Sequence, residues 1–369
     1  MSAADFRIAV IEGDGIGVDV TRATLAVIEA ARRATGGFSL TSEPVRAGAE
    51  YFRESGLDIE PGGEEKAGNC DAILLGAIGH PNVRHVDGTE IAPHLRLRER
   101  FGLYAGVRPV RAYANTPRRL ADPRAGDIDL VVLRESTEGL FWSAAAHGGR
   151  GSEASDEAVS DTLRISRATT ERLHRFAFRL ARKRRERGAL GRVTCVDKAN
   201  VFRSMAFFRR IFDEVAGEFP DVPTEHNYID AQALDCIRRP WELDVLVTEN
   251  MFGDILSDLT AGLVGGMGMA SCAEIGDAHG LFQPAHGSAP DIVGEDRANP
   301  LAAILSGALM LDYLADRADI EAPRTAALLI ERVVERGFAE RRLRPMEHGG
   351  DMGTRAVTDA LIAMIGEHG

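Results

Sequence analysis

Short apolar runs alternate along this chain with longer stretches of helical period. Residues 7–11 (R-I-A-V-I) predict a strand. They run into a glycine-rich turn, residues 12–18 (E-G-D-G-I-G-V), and then a helix that places Thr21, Leu25, Ile28 and Ala31 on one face. Residues 70–76, 128–133, 193–196 and 245–247 are four more apolar runs of strand length. Residues 91–101 predict a strongly charged helix, and residues 301–314, 325–338 and the last dozen or so predict three more. Strands alternating with helices predict an α/β fold. Polar residues gather just past the strand ends: Arg134-Glu135, Asp197-Lys198, and the acidic stretch after 245–247. Open α/β sheets hold their ligands at that edge.

The acidic stretch is T-E-N-M-F-G-D-I-L-S-D-L, residues 248–259. Phe252, Ile255, Leu256, Leu259 and Leu263 recur at helical steps, which stacks Asp254 over Asp258 on one face. Such a pair repels by a few tenths of a kcal/mol on an exposed helix. A hard divalent cation, Mg2+ or Mn2+, would offset the repulsion; a solvated acidic face is the plainer alternative. Gly13, Gly15 and Gly17 do not form G-x-G-x-x-G, so they read as a turn needing positive φ rather than a dinucleotide fingerprint.

The 369 residues suffice for two or more domains, and the 44% hydrophobic content suffices for their cores. A net charge of -12 argues against non-specific nucleic-acid binding. No apolar run reaches membrane-spanning length, and residues 1–10 lack a signal-peptide core. The four cysteines form no C-x-x-C pair and read as reduced, buried thiols of a cytoplasmic protein. Residues 144–160 are small, polar and weakly periodic, the pattern of an exposed arm. The basic run at 182–187 suits a helix C-terminus and reads as structural.

Four motifs in order carry a resemblance: V-D-K-A-N-V (196–201), E-H-N-Y-I-D-A (225–231), N-M-F-G-D-I-L-S-D-L (250–259) and H-G-S-A-P-D-I (286–292). With E-G-D-G-I-G near the start and A-N-P at 298–300, the chain resembles the β-decarboxylating dehydrogenases, closest to 3-isopropylmalate dehydrogenase-like members. The resemblance implies two α/β domains sharing a continuous sheet, not the Rossmann dinucleotide fold. It puts 1–104 and 265–369 in a larger cofactor-side domain, and 105–264 in a smaller dimerisation and catalytic domain with the arm near 144–160. It implies a homodimer with shared active sites, using NAD and Mg2+ or Mn2+ to oxidise and decarboxylate a 3-carboxy-2-hydroxy acid.

Residue by residue, the resemblance makes Asp254 and Asp258, with Asp230 of the partner subunit, metal ligands. Arg98, Arg108 and Arg134 become the substrate-carboxylate clamp, a task suited to the bidentate guanidinium. Lys198 becomes the general base or proton relay, and Asp230 is counted with it as catalytic. Asn200 becomes a nicotinamide-side contact. His286, Gly287, Ser288, Ala289, Asp291, Ile292 and Asn299 form the adenosine-binding loop. Asp291 suits a ribose 2'-hydroxyl and repels a 2'-phosphate, which selects NAD over NADP. The chain departs from the family at Phe141, where the family carries the tyrosine that reprotonates the enolate; Tyr104 and water are candidate replacements. It also departs ahead of Arg98, where I-A-P-H-L-R-L-R fits no family substrate pattern cleanly. His94 can meet a polar or anionic γ-substituent, while Leu95 and Leu97 keep 3-isopropylmalate as the leading substrate. The alternatives are a tartrate/D-malate or isocitrate/homoisocitrate activity, or a non-catalytic regulatory subunit.

Overall fold

A computed structural model describes residues 4–144 and 150–367. In chain order the first half holds β1 (Ala4–Gly13), α1 (Gly17–Thr35), β2 (Phe38–Pro44), α2 (Ala49–Ser55), α3 (Gly63–Gly68), β3 (Ala72–Ala77), α4 (Pro93–Arg100), β4 (Ala105–Arg111), β5 (Asp129–Glu135), β6 (Glu153–Ala154), β7 (Val159–Ser160) and α5 (Arg167–Glu186). Then follow β8 (Val193–Asp197), α6 (Arg203–Ala216), β9 (Thr224–Tyr228), α7 (Ile229–Arg238), β10 (Val245–Thr248), α8 (Asn250–Leu263), β11 (Ser271–Ile275), β12 (Gly280–Pro284), α9 (Leu301–Ala318), α10 (Glu321–Ala339) and α11 (Thr354–Gly366).

Ten strands form one sheet in the order β2-β1-β3-β12-β11-β4-β5-β10-β8-β9. The first five come from the two ends of the chain and the last five from its middle. The two sets meet at the antiparallel β11–β4 pair, with Glu274 opposite Gly106. This continuous two-part sheet is the expected α/β architecture and not the Rossmann order. The five apolar runs are β1, β3, β5, β8 and β10; β1 begins three residues earlier than its apolar run. In the arm, β6 and β7 make a short exposed antiparallel pair, and residues 145–149 lie outside those described.

Three strands at the join have two useful faces, because strand side chains alternate. Arg108, Glu274 and Arg134 point to one side, where Arg108 and Arg134 line a large cleft. Val107, Pro109, Val131, Ala273 and Ile275 point to the other and floor a groove of about 590 Å³ between α5 and α9. Ion pairs bridge the lip of that rear groove: Lys183 to Asp312 (2.8 Å) and Asp316 (2.7 Å), and Arg187 to Asp312 (3.0 Å). All four cysteines are free and buried. No helix among the described residues is long and apolar enough to cross a membrane.

The α5–α6 layer carries a titration of its own. His174 of α5 is fully buried, its ring 4.5 Å from that of Phe208 and 5.2 Å from that of Phe212. Burial pushes its pKa down from 6.5 to about 3. The unfolded chain therefore binds the proton first, and His174 withdraws stability as pH falls below 6.5 towards 3. Denaturant midpoints measured from pH 7.5 to 4.5 should fall less steeply for His174→Gln than for the parent. Equal slopes would remove His174 from the acid limb.

Candidate active site

The cleft on the other face has a volume of about 1240 Å³. Five of its charged lining residues come from four elements. Pro93 starts α4 at a permitted position, and the helix carries Leu97 into the core with Arg98 beside it. Arg108 is the inward residue of β4, and Arg134 sits near the end of β5. Asp254 and Asp258 project from α8, whose first turn is capped by Glu249 accepting from Phe252 N (2.7 Å) and Met251 N (3.2 Å). α8 lies tight against β5: a β-carbon on Gly253 would fall 2.6 Å from Arg134 Cβ.

All three arginines are buried, and each is held from within. Arg98 Nη2 lies 2.8 Å and Arg108 Nη2 3.5 Å from Glu274 Oε1, a carboxylate with no exposure at all. Arg134 Nε and Nη2 donate to Asn250 Oδ1 (2.9 and 2.7 Å), and Nη1 pairs with Asp254. Asn250 in turn donates to Glu138 O (2.9 Å). The Nε atoms of Arg98 and Arg108 are buried without a partner. Burial and the charges of Arg98 and Arg108 pull Arg134 down to about 10, so it stays charged at neutral pH. Burial also opposes the charge of Arg108, but Cys272, Glu274, Asp254 and Asp258 hold its pKa above the usual value. Three buried cations facing a cleft with one buried counter-charge make an anion receptor.

Burial and then repulsion from Asp254 push the Asp258 carboxyl up, with Arg108 and Arg134 opposing. A cation between the two aspartates would relieve that repulsion, and a pair of carboxylate oxygens suits a hard divalent ion. Among the described residues no third His, Cys, Asp or Glu completes a three-ligand group in one chain. Asp230 instead stands at the start of α7, paired with Lys198 Nζ, whose hydrogen bond lowers the Asp230 pKa. Neither residue lines the cleft of its own chain, and Asn200 beside them is exposed. This patch carries exposed apolar side chains: Val201, Phe202, Leu234, Ile237 and Ile255.

His94 lines the cleft with Leu95 and Phe141. Its Nδ1 is enclosed without a partner, and burial followed by the Arg98 charge lowers its pKa to about 3, so the ring is neutral. Phe141 lies under the Arg134 guanidinium, 5.0 Å from ring centroid to Cζ. Tyr104 does not replace the missing tyrosine. It packs in the main core with Arg172 of α5 stacked on its ring at 4.6 Å, outside the cleft lining.

His286 and Gly287 line the cleft, and His286 Nε2 is buried and unpartnered. Asp291 is exposed, in the short 3-10 turn Pro290–Ile292 that Ala289 enters with φ +39°. Ser288 and Asn299 are engaged within the protein: Ser288 Oγ donates to Gly79 O (2.5 Å) and Asn299 Nδ2 to Glu347 (2.9 Å). Sequence reasoning missed Glu274 and Asn250 as organisers of the arginines. The signal for Glu274 was present, as a lone carboxylate in the otherwise apolar S-C-A-E-I run.

The sequence profile described as isocitrate/isopropylmalate dehydrogenase matches residues 7–361. Among curated relatives, the 3-isopropylmalate/3-methylmalate dehydrogenase of Methanocaldococcus jannaschii is 41% identical over 98% of this chain and 99% of that protein. The isocitrate/homoisocitrate dehydrogenase of Thermus thermophilus is 40% identical over 98% of each. Among solved structures, isocitrate dehydrogenase from Methylococcus capsulatus superposes with a TM-score of 0.81 at 32% identity, covering 98% of this chain and 99% of that one.

Proposed function

Since the chain belongs to the isocitrate/isopropylmalate dehydrogenase family and is a decarboxylating dehydrogenase, we propose that it uses NAD and Mg2+ or Mn2+ to oxidise a 3-carboxy-2-hydroxy acid, with 3-isopropylmalate the leading substrate. The observation that carries this reading is the set of three buried arginines and two aspartates around one cleft. When bound, the nicotinamide supplies the hydride acceptor and the cation a Lewis acid at the hydroxyl and keto oxygen. Arg98, Arg108 and Arg134 hold the substrate carboxylates, so their charge is spent on orientation. Asp254 and Asp258 would hold the cation, with Asp230 of the partner subunit as a third ligand. Lys198 of the partner subunit takes the hydroxyl proton. Phe141 has no proton to give, so water delivers the one that C3 needs after CO2 leaves.

The dimer reading rests on the exposed apolar side chains around Lys198 and Asp230, which a second copy would cover. It also fits the division of the sheet into a larger 1–104 and 265–369 domain and a smaller 105–264 domain. Asp291 on the 286–299 loop favours NAD over NADP, since a carboxylate accepts from a ribose hydroxyl but repels a phosphate. The four buried, free thiols fit a reducing cytoplasm. Neutral His94 beside Leu95 and Phe141 adds no charge to that part of the cleft, which suits an apolar γ-substituent. The unpartnered Nδ1 of His94 supports the second reading, a polar γ-group as in the isocitrate or malate class.

Purified protein with Mn2+ should reduce NAD, and NADP far less, on one of 3-isopropylmalate, isocitrate, homoisocitrate, D-malate or tartrate, with CO2 matching NADH. Mn2+ plus that substrate should raise the melting temperature through binding linkage, and a chelator should reverse both effects. No turnover on any of these acids with either nucleotide would sink the reading and favour a regulatory subunit.

A further inference from the structure

The turn at residues 12–18 has no part in the chemistry above, yet its backbone is tightly held. Asp14 is 1% exposed. Its Oδ2 accepts from Ala49 N and Gly79 N, and its Oδ1 from Glu50 N, all at 2.8 Å. Its own N–H donates to Ala77 O at 2.7 Å. One carboxylate thus fastens three segments: the first turn, the start of α2, and the loop after β3 that rims the cleft.

A fourth segment closes the ring. Gly79, whose N–H is held by Asp14, accepts at its carbonyl from Ser288 Oγ (2.5 Å). The Ser288 carbonyl then accepts from Ile16 N at 2.9 Å, two residues on from Asp14. The glycines are what let these backbones meet. A β-carbon on Gly15 (φ +57°) would sit 2.2 Å from Ser288 O, and one on Gly13 (φ +73°) 2.0 Å from Ala77 O. All three groups facing Asp14 are donors, so only an acceptor-only side chain with two oxygens satisfies them. An asparagine would turn its NH2 against at least one N–H, leaving a buried donor unsatisfied.

We propose that Asp14 is a positioning residue for the dinucleotide, fixing through Gly79 and Ser288 where the 286–292 loop stands against the cleft; this rests on the NAD reading of that loop. The hydroxy-acid clamp hangs on α4, β4, β5, α8 and β11, which none of Asp14's hydrogen bonds reaches. Loss of Asp14 therefore acts on one substrate and spares the other.

Asp14→Asn, assayed by steady-state kinetics and by calorimetric NAD titration, should raise the NAD KM and Kd about tenfold or more. The hydroxy-acid KM and the kcat at saturating NAD should stay within about threefold. Equal rises in both KM values, or a lower melting temperature with neither KM moved, would overturn the assignment. Should Asp14→Asn fail to fold, Gly79→Ala, which strains the positive-φ residue joining Asp14 to Ser288 (φ +110°), should show the same NAD-only shift at smaller size; no shift overturns it. If the parent protein binds no dinucleotide, the functional reading fails on its own. Hydrogen exchange then decides on Asp14: exchange across 286–292 should quicken in the variant while 105–111 is unchanged, and equal rates across 286–292 refute the placement.

Discussion

Glu274→Gln is expected to destabilise the protein by about 3–5 kcal/mol, the cost of removing one partner from a buried ion pair. The side chain is fully buried and is the ion-pair partner of both Arg98 and Arg108. Glutamine keeps its shape but removes the charge, leaving two buried guanidiniums facing Arg134 with nothing between them. Burial alone would push the Glu274 carboxyl up; Arg98, Arg108 and Arg134 together pull it below the usual value. A depressed carboxylate stabilises fully above its unfolded pKa, and the contribution is lost as pH falls through the folded one. The gap between parent and variant should therefore be large at pH 7 and narrow in strong acid. Urea unfolding at pH 7 and pH 3 measures it. A variant within about 1 kcal/mol of the parent at pH 7 would show that water or anions already screen the arginines. Because Glu274 also aims two of the clamp residues, kcat/KM for the hydroxy acid should fall at least about tenfold.

Lys198→Met is expected to lower kcat by about 10²–10⁴-fold, the usual yield of a positioned acid or base. A second variant, Asp258→Asn, should be inactive for a different reason, the loss of a cation ligand. Mixing the two inactive chains should restore roughly a quarter of the parent activity, since random pairing makes half the dimers mixed and each mixed dimer has one intact site of two. The geometry behind this is plain: the Lys198–Asp230 pair lies outside the cleft that its own chain forms with Asp254 and Asp258. Mixtures no more active than either parent would put lysine and clamp in one chain and defeat the shared-site reading.

The strands legible in the sequence were the ones buried on both faces. β3 (A-I-L-L-G-A) and β10 (V-L-V-T) are apolar throughout because helices or chain cover both sides. The sequence was silent on β9 (T-E-H-N-Y), an edge strand whose side chains are mostly exposed, and on β4, where glycine, proline and two arginines interrupt the apolar signal. β4 carries no strand signal because its inward residue is a charge that only tertiary partners justify. Asp254, Asp258, Arg98, Arg108 and Arg134 were found from spacing and resemblance, and the fold brings them to one cleft. Glu274 and Asn250 were not, because their role is to hold arginines that are distant in sequence. Tyr104, offered from sequence as an acid, stands just before β4 and packs against Arg172 of α5 instead.

The groove behind the join bears on how firmly the receptor is mounted. Arg108 and Glu274 stand on strands with a cleft in front and a hollow of about 590 Å³ behind. Side chains facing an open groove lack protein contacts on that side, so Val107, Pro109, Ala273 and Ile275 are held less firmly than residues with a packed helix behind them. The receptor is thus carried on a diaphragm rather than a bulkhead. Its stiffness is supplied at the rim, by the Lys183, Arg187, Asp312 and Asp316 ties that span the hollow.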